Sequence, residues 1–553
     1  MAGLLAHPSL RPRRLPPLRQ VLRIGAAGDG WHRPALSAVT TLAALDLTLL
    51  ALGRLDLALY TSAGALVALY GHGLPYPARA RTLAAVATAT VASTGVALSA
   101  AALTGSVAAL VTVSALLAAL HKVGCDAARI GPPGNIIITF TSAGCAFAPG
   151  RIGDLPGHVA LTATGAALAW LVCMAPALLR PYGPERIAVA RALEAAARLL
   201  RSGSERSPHA RTVLAGAVDA ARRSLARPAA ARRRALGDGL ERLLIRSESA
   251  LAAGADPSAA GPYESWARDL RRGRPLPRPA LGPAEERELR TAGPLPPAPG
   301  GGLRRALRPG SPQLPVGLRV AVGCAAAGWL SMGLGVGRPY WAVVTAASVF
   351  QANSAMSWQR ALQRVLGNLV GLVLFTALLP VSRSGQLALI LLGLLCQFGA
   401  EATIARNYWL AGVFVTPMAL LMTEFAGRHP AREMIADRWL DTCIGALVGL
   451  ASCLLVTNRR TAGRLDRALT GVQDAARSAR AAADTAKDTA PERGRLAHAL
   501  VDLREAADTA AGEWWQRPLP HEHVAEAERT GHRLLATLVE QRGGGPGGAA
   551  VGP

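Results

Sequence analysis

Arg360, Arg364, Gly367 and Gly371 fall at spacings of four, three and four, and on a helix of 3.6 residues per turn such positions lie within about 60° of one another. Each guanidinium on that face can hold a carboxylate through two parallel N–H donors. Glycines four apart let a neighbouring helix approach closely, so a face carrying both looks into a helix bundle. Arg319 shares a face with Gly323, and Asp441 shares one with Gly445 and Ser452. The candidate helix-packing positions are therefore Gly323, Gly367, Gly371, Gly445 and Gly449. The candidate substrate-binding residues are Arg319, Arg360 and Arg364, joined by Tyr340 and Trp341, which could stack on an aromatic ring. A plainer reading stays open for each: arginines that snorkel and fix topology, and an aromatic belt at the membrane interface. Two carboxylates complete the set. Asp46 lies within LAALDLTLLALG, and with Asp441 it is a candidate for proton coupling; at bilayer depth an ionised Asp costs at least about 2.5 kcal/mol. The alternative is a carboxyl that hydrogen-bonds a neighbouring span.

Other chemistry is poorly served. A phosphate-binding loop needs lysine after its second glycine, and neither Lys122 nor Lys487 has that setting. The nucleophile-elbow and H-E-x-x-H patterns are missing, and the seven cysteines are scattered without a C-x-x-C pair. His521-Glu522-His523 has no further ligand in spacing. The expectation is a protein that is not an enzyme and uses no cofactor and no metal.

These residues sit in long uncharged runs. Half of the chain is hydrophobic, 51% of 553 residues, and the net charge of +24 is almost wholly arginine. Arginine flanking apolar spans is what the positive-inside rule requires, so nucleic acid is not an expected partner. Apolar runs cover approximately 35–52, 57–70, 83–102, 107–120, 136–148 and 158–179, then 316–335, 340–351, 365–379, 387–400, 408–422 and 440–456. Several are shorter than the roughly 20 residues of a perpendicular span, so ten or twelve crossings are both open. The fold class is an all-α polytopic membrane protein with two blocks of about six transmembrane helices and helical cytosolic segments. Its parts are a basic cytosolic arm (1–34), a first block (35–179), a helical segment with a Pro/Gly-rich linker (180–315), a second block (316–457), a helical segment (458–542) and a disordered tail (543–553). Between the blocks, 180–311 holds 25 arginines against 13 acidic residues and no run long enough to span. Arginine placement predicts both termini inside, with Arg319, Arg360, Arg364 and Arg406 at the cytoplasmic ends and Arg438 and Asp441 near the outer end of the last span. Thr162-Gly165-Ala166 and Thr442-Gly445-Ala446 match as a weak internal repeat, the parallel arrangement recurrent in transporters. Pro417, within VFVTPMALL, is expected to interrupt its span.

The string from Arg338-Pro339-Tyr340-Trp341 to Ala346, followed by Arg360, Arg364-Val365-Leu366-Gly367 and Gly371, resembles the fusaric acid resistance protein-like integral membrane transporters, related to the aromatic acid exporters. Arg406-Asn407-Tyr408-Trp409, Val413 to Pro417, and Arg438, Asp441, Thr442 and Gly445 are similar to the same pattern. In the first block Gly53 to Ala58, Gly64-Ala65, Tyr70-Gly71, Arg79 and Arg81 resemble actinobacterial members. The resemblance implies outward movement of small aromatic or amphipathic carboxylates across the plasma membrane. The expected partners are the lipid bilayer and a small organic anion, with a homo-oligomer left open. A passive organic-anion channel, or a membrane scaffold whose cytosolic helices bind partners, are the rival readings.

Overall fold

The computed structural model describes residues 11–12, 18–25, 30–148, 150–202, 208–225, 231–252, 256–291, 303–309, 311, 313–425, 427, 430–455, 460–485, 489–512, 515–516 and 521–543. Most of the arm expected over 1–34, much of the Pro/Gly-rich linker and all but the first residue of the tail expected over 543–553 lie outside them. The protein is an all-α polytopic membrane protein. Its first membrane block runs α1 (His32–Ala51), α2 (Leu55–Leu69, an α-helix between two 3-10 turns), α3 (Tyr76–Leu103), α4 (Val107–Ala127), α5 (Ile136–Ala146) and α6 (Leu155–Met174). Five longer helices outside the membrane blocks follow among the described residues: α7 (Gly183–Ser202), α8 (Pro208–Leu225), α9 (Ala231–Ser249), α10 (Ala260–Arg272) and α11 (Pro283–Thr291). The second block runs α12 (Leu314–Gly333), α13 (Tyr340–Val349), α14 (Ser354–Ser382), α15 (Gln386–Ile404), α16 (Tyr408–Glu424) and α17 (Ala431–Leu455). The C-terminal helices are α18 (Arg460–Asp484), α19 (Ala490–Ala511) and α20 (His521–Gly543).

Among the described residues eight helices are long and apolar enough to cross a bilayer, and the other four membrane-block helices are shorter. The short ones occupy the second and fifth places of both blocks. α13 has ten residues, about 15 Å of helix, against a hydrocarbon core of about 30 Å. Every one of its residues is buried: a helix apolar on all sides is wrapped by protein. It ends where Phe350 turns extended (φ −66°, ψ 99°). α14 then starts at Asn353, whose side chain accepts from Met356 N at 2.8 Å. The apolar run alone began this span at 365; the helix starts eleven residues earlier because Arg360 and Arg364 lie within it. Similarly α17 begins at Ala431 rather than 440. Pro417 does not interrupt its span: α16 is continuous through it.

Both blocks pack by one scheme. The short second helix lies on the sixth (α2 on α6, α13 on α17), and the third lies on the fifth (α3 on α5, α14 on α16). Glycine permits the closest of these approaches. A Cβ on Gly165 would stand 2.2 Å from the carbonyl oxygen of Thr61, and one on Gly445 would stand 2.5 Å from that of Ala342. The blocks then join by exchange, the first helix of each packing on the fourth of the other (α1 on α15, α12 on α4). This is the pseudo-twofold relation of parallel repeats.

Outside the bundle, the middle segment and the C-terminal helices form one unit. Leu193, Leu214, Leu243 and Tyr263 centre the first core, and Ala215 of α8 joins Leu465, Leu496, Leu500 and Leu535 in the second. An ion network crosses between them. Arg493, 1% exposed, donates to Glu288 Oε1 at 2.6 Å and Glu248 Oε1 at 3.4 Å, and Arg222 bonds both carboxylates. This unit meets the bundle at the start of α14, where Ala355 N donates to Gly512 O at 2.9 Å.

Candidate functional site

The α13 segment enters the bundle through two aromatics. Trp341 and Tyr340 are 2% and 8% exposed, so they form no lipid-facing belt. Phe140 of α5 stacks on Trp341, with centroids 5.6 Å apart, and Phe147 lies 5.4 Å from Tyr340. The result is an aromatic wall shared by the two blocks. Arg438 of α17 lies over it: its Cζ is 3.7 Å from the Trp341 ring centroid, and the residue is 1% exposed. A guanidinium over an indole face gains cation–π attraction, about 2 kcal/mol when desolvated. That contact leaves its donors unused, and Nε and Nη1 are buried without a hydrogen-bond partner.

Around Arg438 the polar groups are fixed by neighbours. Its own carbonyl accepts from Thr442 Oγ1 at 2.8 Å and from Asn368 Nδ2 at 3.5 Å, and Asn368 Oδ1 accepts from Thr416 Oγ1 at 3.1 Å. Asp441, fully buried, accepts from Ser331 Oγ through Oδ1, while Oδ2 has no partner. No ion pair joins Asp441 to Arg438 among the described residues, although each lies in the other's field; Arg438 is also in the field of Arg364, Tyr340 and Tyr408, and Asp441 in that of Asp437. Three residues apart on a helix, the two side chains diverge: one goes to α13 and the other to α12.

Arg364 extends the cluster along α14. It is 7% exposed, and its Nη1 donates to Tyr408 Oη at 3.3 Å. Arg360, one turn earlier, has its Cζ 3.8 Å from the centroid of the same ring. Gly367 and Gly371 continue this face against α16, where an added Cβ would stand 2.5 Å from Trp409 O and 2.7 Å from Thr416 Cβ. Arg360, Arg364 and Arg438 thus form a column, with Asp441 beside it and Asp437 in the field of Asp441 and Tyr340. At the start of α16 the column meets residues 21–25. Asn407 Nδ2 donates to Val21 O and Arg23 O, each at 2.9 Å, Gln363 Nε2 donates to Val21 O at 3.2 Å, and Gly25 N donates to Arg406 O at 2.9 Å.

Not every sequence candidate joins this column. Arg319 sits on Phe350, its Cζ 5.5 Å from that ring, with Gly323 beneath the same ring. Gly449 packs against Ala346. Asp46, 5% exposed, belongs to the α1–α15 seam, where it lines a cavity with Ser62 and Gln397. Arg79 is committed to carbonyls: it donates to Gly71 O at 3.0 Å and His72 O at 2.6 Å. Spacing alone did not mark Arg438, Asn368, Tyr408 or Ser331 as site residues. Asn368 had a signal, standing four residues after Arg364 on one face. Arg438 had another: it precedes Gly445 by seven, as His158 precedes Gly165. In the first block His158 stacks on Tyr60 with centroids 3.8 Å apart. The repeat therefore keeps the side chain over an aromatic but carries arginine only in the second block.

Residues 323–452, which contain all of this column, match the fusaric acid resistance protein-like family. Over 254 residues the chain is 29% identical to uncharacterized membrane protein YvaC of Bacillus subtilis, covering 44% of this chain and 39% of that protein. Over 140 residues it is 27% identical to uncharacterized protein slr1298 of Synechocystis, covering 25% of this chain and 18% of that protein. The chain therefore spans about two fifths and one fifth of the lengths of these relatives. No solved structure matches it. In its second membrane block, over residues 323–452, this multi-pass membrane protein carries a fusaric acid resistance protein-like domain.

Proposed function

We propose that the protein exports small aromatic carboxylates across the plasma membrane, with both termini and the soluble helical unit in the cytoplasm. The observation that carries this reading is Arg438: a guanidinium buried against Trp341 with two nitrogens lacking protein partners. A buried cation needs a counter-charge or hydrogen bonds, and here the Asp441 carboxylate in the field of Arg438 bonds Ser331 instead. A carboxylate ligand fits the donors. An aromatic ring fits the wall of Tyr340, Trp341, Phe140 and Phe147, and the similarity of residues 323–452 to a family named for fusaric acid resistance agrees with it. Arg360 and Arg364 at the start of α14 would gather the anion from the cytoplasm, and Arg438 would receive it deeper in the bundle. Short second and fifth helices suit a transport site, because irregular backbone at membrane depth is tolerated where it is enclosed by protein or lines a cavity.

The test is tolerance of cells with and without the protein to a panel of aromatic carboxylic acids, followed by efflux of the selected acid. A charge-assisted hydrogen bond is worth about 1.5–3 kcal/mol, so Arg438→Gln, with expression matched, should weaken half-saturation by about ten- to a hundredfold. Efflux unchanged in both Arg438→Gln and Arg364→Ala would overturn the site. Steady currents without proton dependence would favour a channel.

A further inference from the structure

The α1–α15 seam contains a second set of polar groups that the arginine column does not use. Its cavity is lined by Asp46, Ser62 and Gln397, with Leu66, Met418 and Met422 among the apolar walls. Asp46 is 5% exposed, Ser62 1% and Gln397 3%, and Asp46 Oδ1 has no hydrogen-bond partner. No other titratable side chain lines this cavity. Gly393 and Gln397 reach it from α15, and Glu401 continues their stripe one turn on, since positions four apart share a helix face. The stripe runs toward the end of α15 at Ile404, beside the start of α16 where the arginine column opens. On α16 the nearest charged group is Glu424, which is 9% exposed and follows Met422 by two residues at the other end of the seam.

We propose that Asp46 is a proton-binding site set between the two blocks, reached from the arginine-bearing side through Glu401 and Gln397. An ionised carboxylate there would face leucines, methionines and Phe425 without a cation to pair with, so taking up a proton turns it into a neutral acid that the apolar walls accept. The proton balance is simple: one proton adds to the Asp46 carboxylate when it faces one aqueous side and leaves to the other. The seam is where such a change would be felt, since α1 and α15 belong to different blocks and the blocks must shift against one another in alternating access. Ser62 on the short helix α2 and Gln397 on α15 line the same cavity and are the polar side chains beside the acid there. What the proton is exchanged against rests on the export reading above; the site itself does not.

Infrared difference spectroscopy on the full chain in lipid, titrated between about pH 5 and about pH 9, tests this without any transport substrate. A protonated-carboxyl stretching band should appear on acidification, vanish in Asp46→Asn and persist in Asp441→Asn. If Asp46→Asn fails to fold, Asp46→Glu should shift the same band. Glu401→Gln should keep the band at equilibrium yet form it more slowly after a pH jump. The absence of a titrating band, or one indifferent to both Asp46 variants, overturns the site; an unchanged rate in Glu401→Gln overturns the route. An export failure with an intact Asp46 band would sink the anion reading alone.

Discussion

Acidification should loosen the C-terminal helix α20 from the rest of the helical unit outside the bundle, through His532. This residue is 5% exposed; its Nε2 lies 3.1 Å from Thr212 Oγ1 of α8, and its Nδ1 is buried without a partner. Burial, with a smaller push from Arg211, lowers its pKa from 6.5 to about 4. The sign follows from linkage: detached, the imidazole binds protons more readily than docked, so docking is fully stabilised above pH 6.5 and weakens as pH falls toward 4. At pH 5 a group with those two pKa values contributes about 2 kcal/mol less to docking than at pH 7, a shift of about thirtyfold in the docked ratio. His498 acts at another contact, between α8 and α19. Its pKa is raised chiefly by a hydrogen bond to Asp219, with Asp502 also close, so its contribution is present at low pH and is lost as pH rises through its folded value. It is more than a third exposed, and solvent screening keeps that contribution small. The assay is hydrogen–deuterium exchange of the intact protein at pH 7 and pH 5, corrected for intrinsic exchange and read over 521–543. Protection there should fall by about an order of magnitude at pH 5, and His532→Gln should flatten the change. Protection that is unchanged or rises on acidification, or a fall that survives His532→Gln, would refute the reasoning.

Two further outcomes follow from packing. Arg493→Met removes a buried guanidinium that bonds both Glu248 and Glu288, which should destabilise the helical unit outside the bundle by about 3–5 kcal/mol; cleavage between α11 and α19 by a dilute protease reads it, and wild-type resistance would contradict the network. Gly367→Val places side-chain atoms against the Trp409 carbonyl and Gly412 Cα, so α14 and α16 must separate, at about 1–3 kcal/mol. Thermal unfolding in detergent should show the loss, whereas Gly463→Val, with open space around its Cβ, should cause little of it.

Much of the bundle is legible in the sequence because lipid and protein interiors both demand apolar runs, and the twelve runs correspond to the twelve membrane-block helices. Helix starts were harder to see. Arg360, Arg364 and Arg438 end an apolar run without ending a helix, so α14 and α17 begin before the runs do. Pro417 misled in the other direction: it removes one N–H, and α16 continues through it with Thr416 bonding Asn368 across to α14. The helical unit outside the bundle is the least legible part. Arg222, Glu248, Glu288 and Arg493 come from four helices, and pairings across 26 to 245 positions of sequence make them a buried network.

The site shows why local spacing is a partial guide. Periodicity places residues on a face, and it placed Arg360, Arg364, Gly367 and Gly371 together, all of them against α16. It cannot say which face meets which neighbour. Arg438 and Asp441, three apart, suggest an ion pair by spacing, yet the gap between α12 and α13 splits them, sending Asp441 to Ser331 and Arg438 to Trp341. That split matters for mechanism. An Arg438 paired within its own helix would have its charge compensated and little reason to hold a ligand. Separated from Asp441 and stacked on an aromatic wall, it keeps Nε and Nη1 without a protein partner, and on that difference from a structural ion pair the proposed carboxylate site rests.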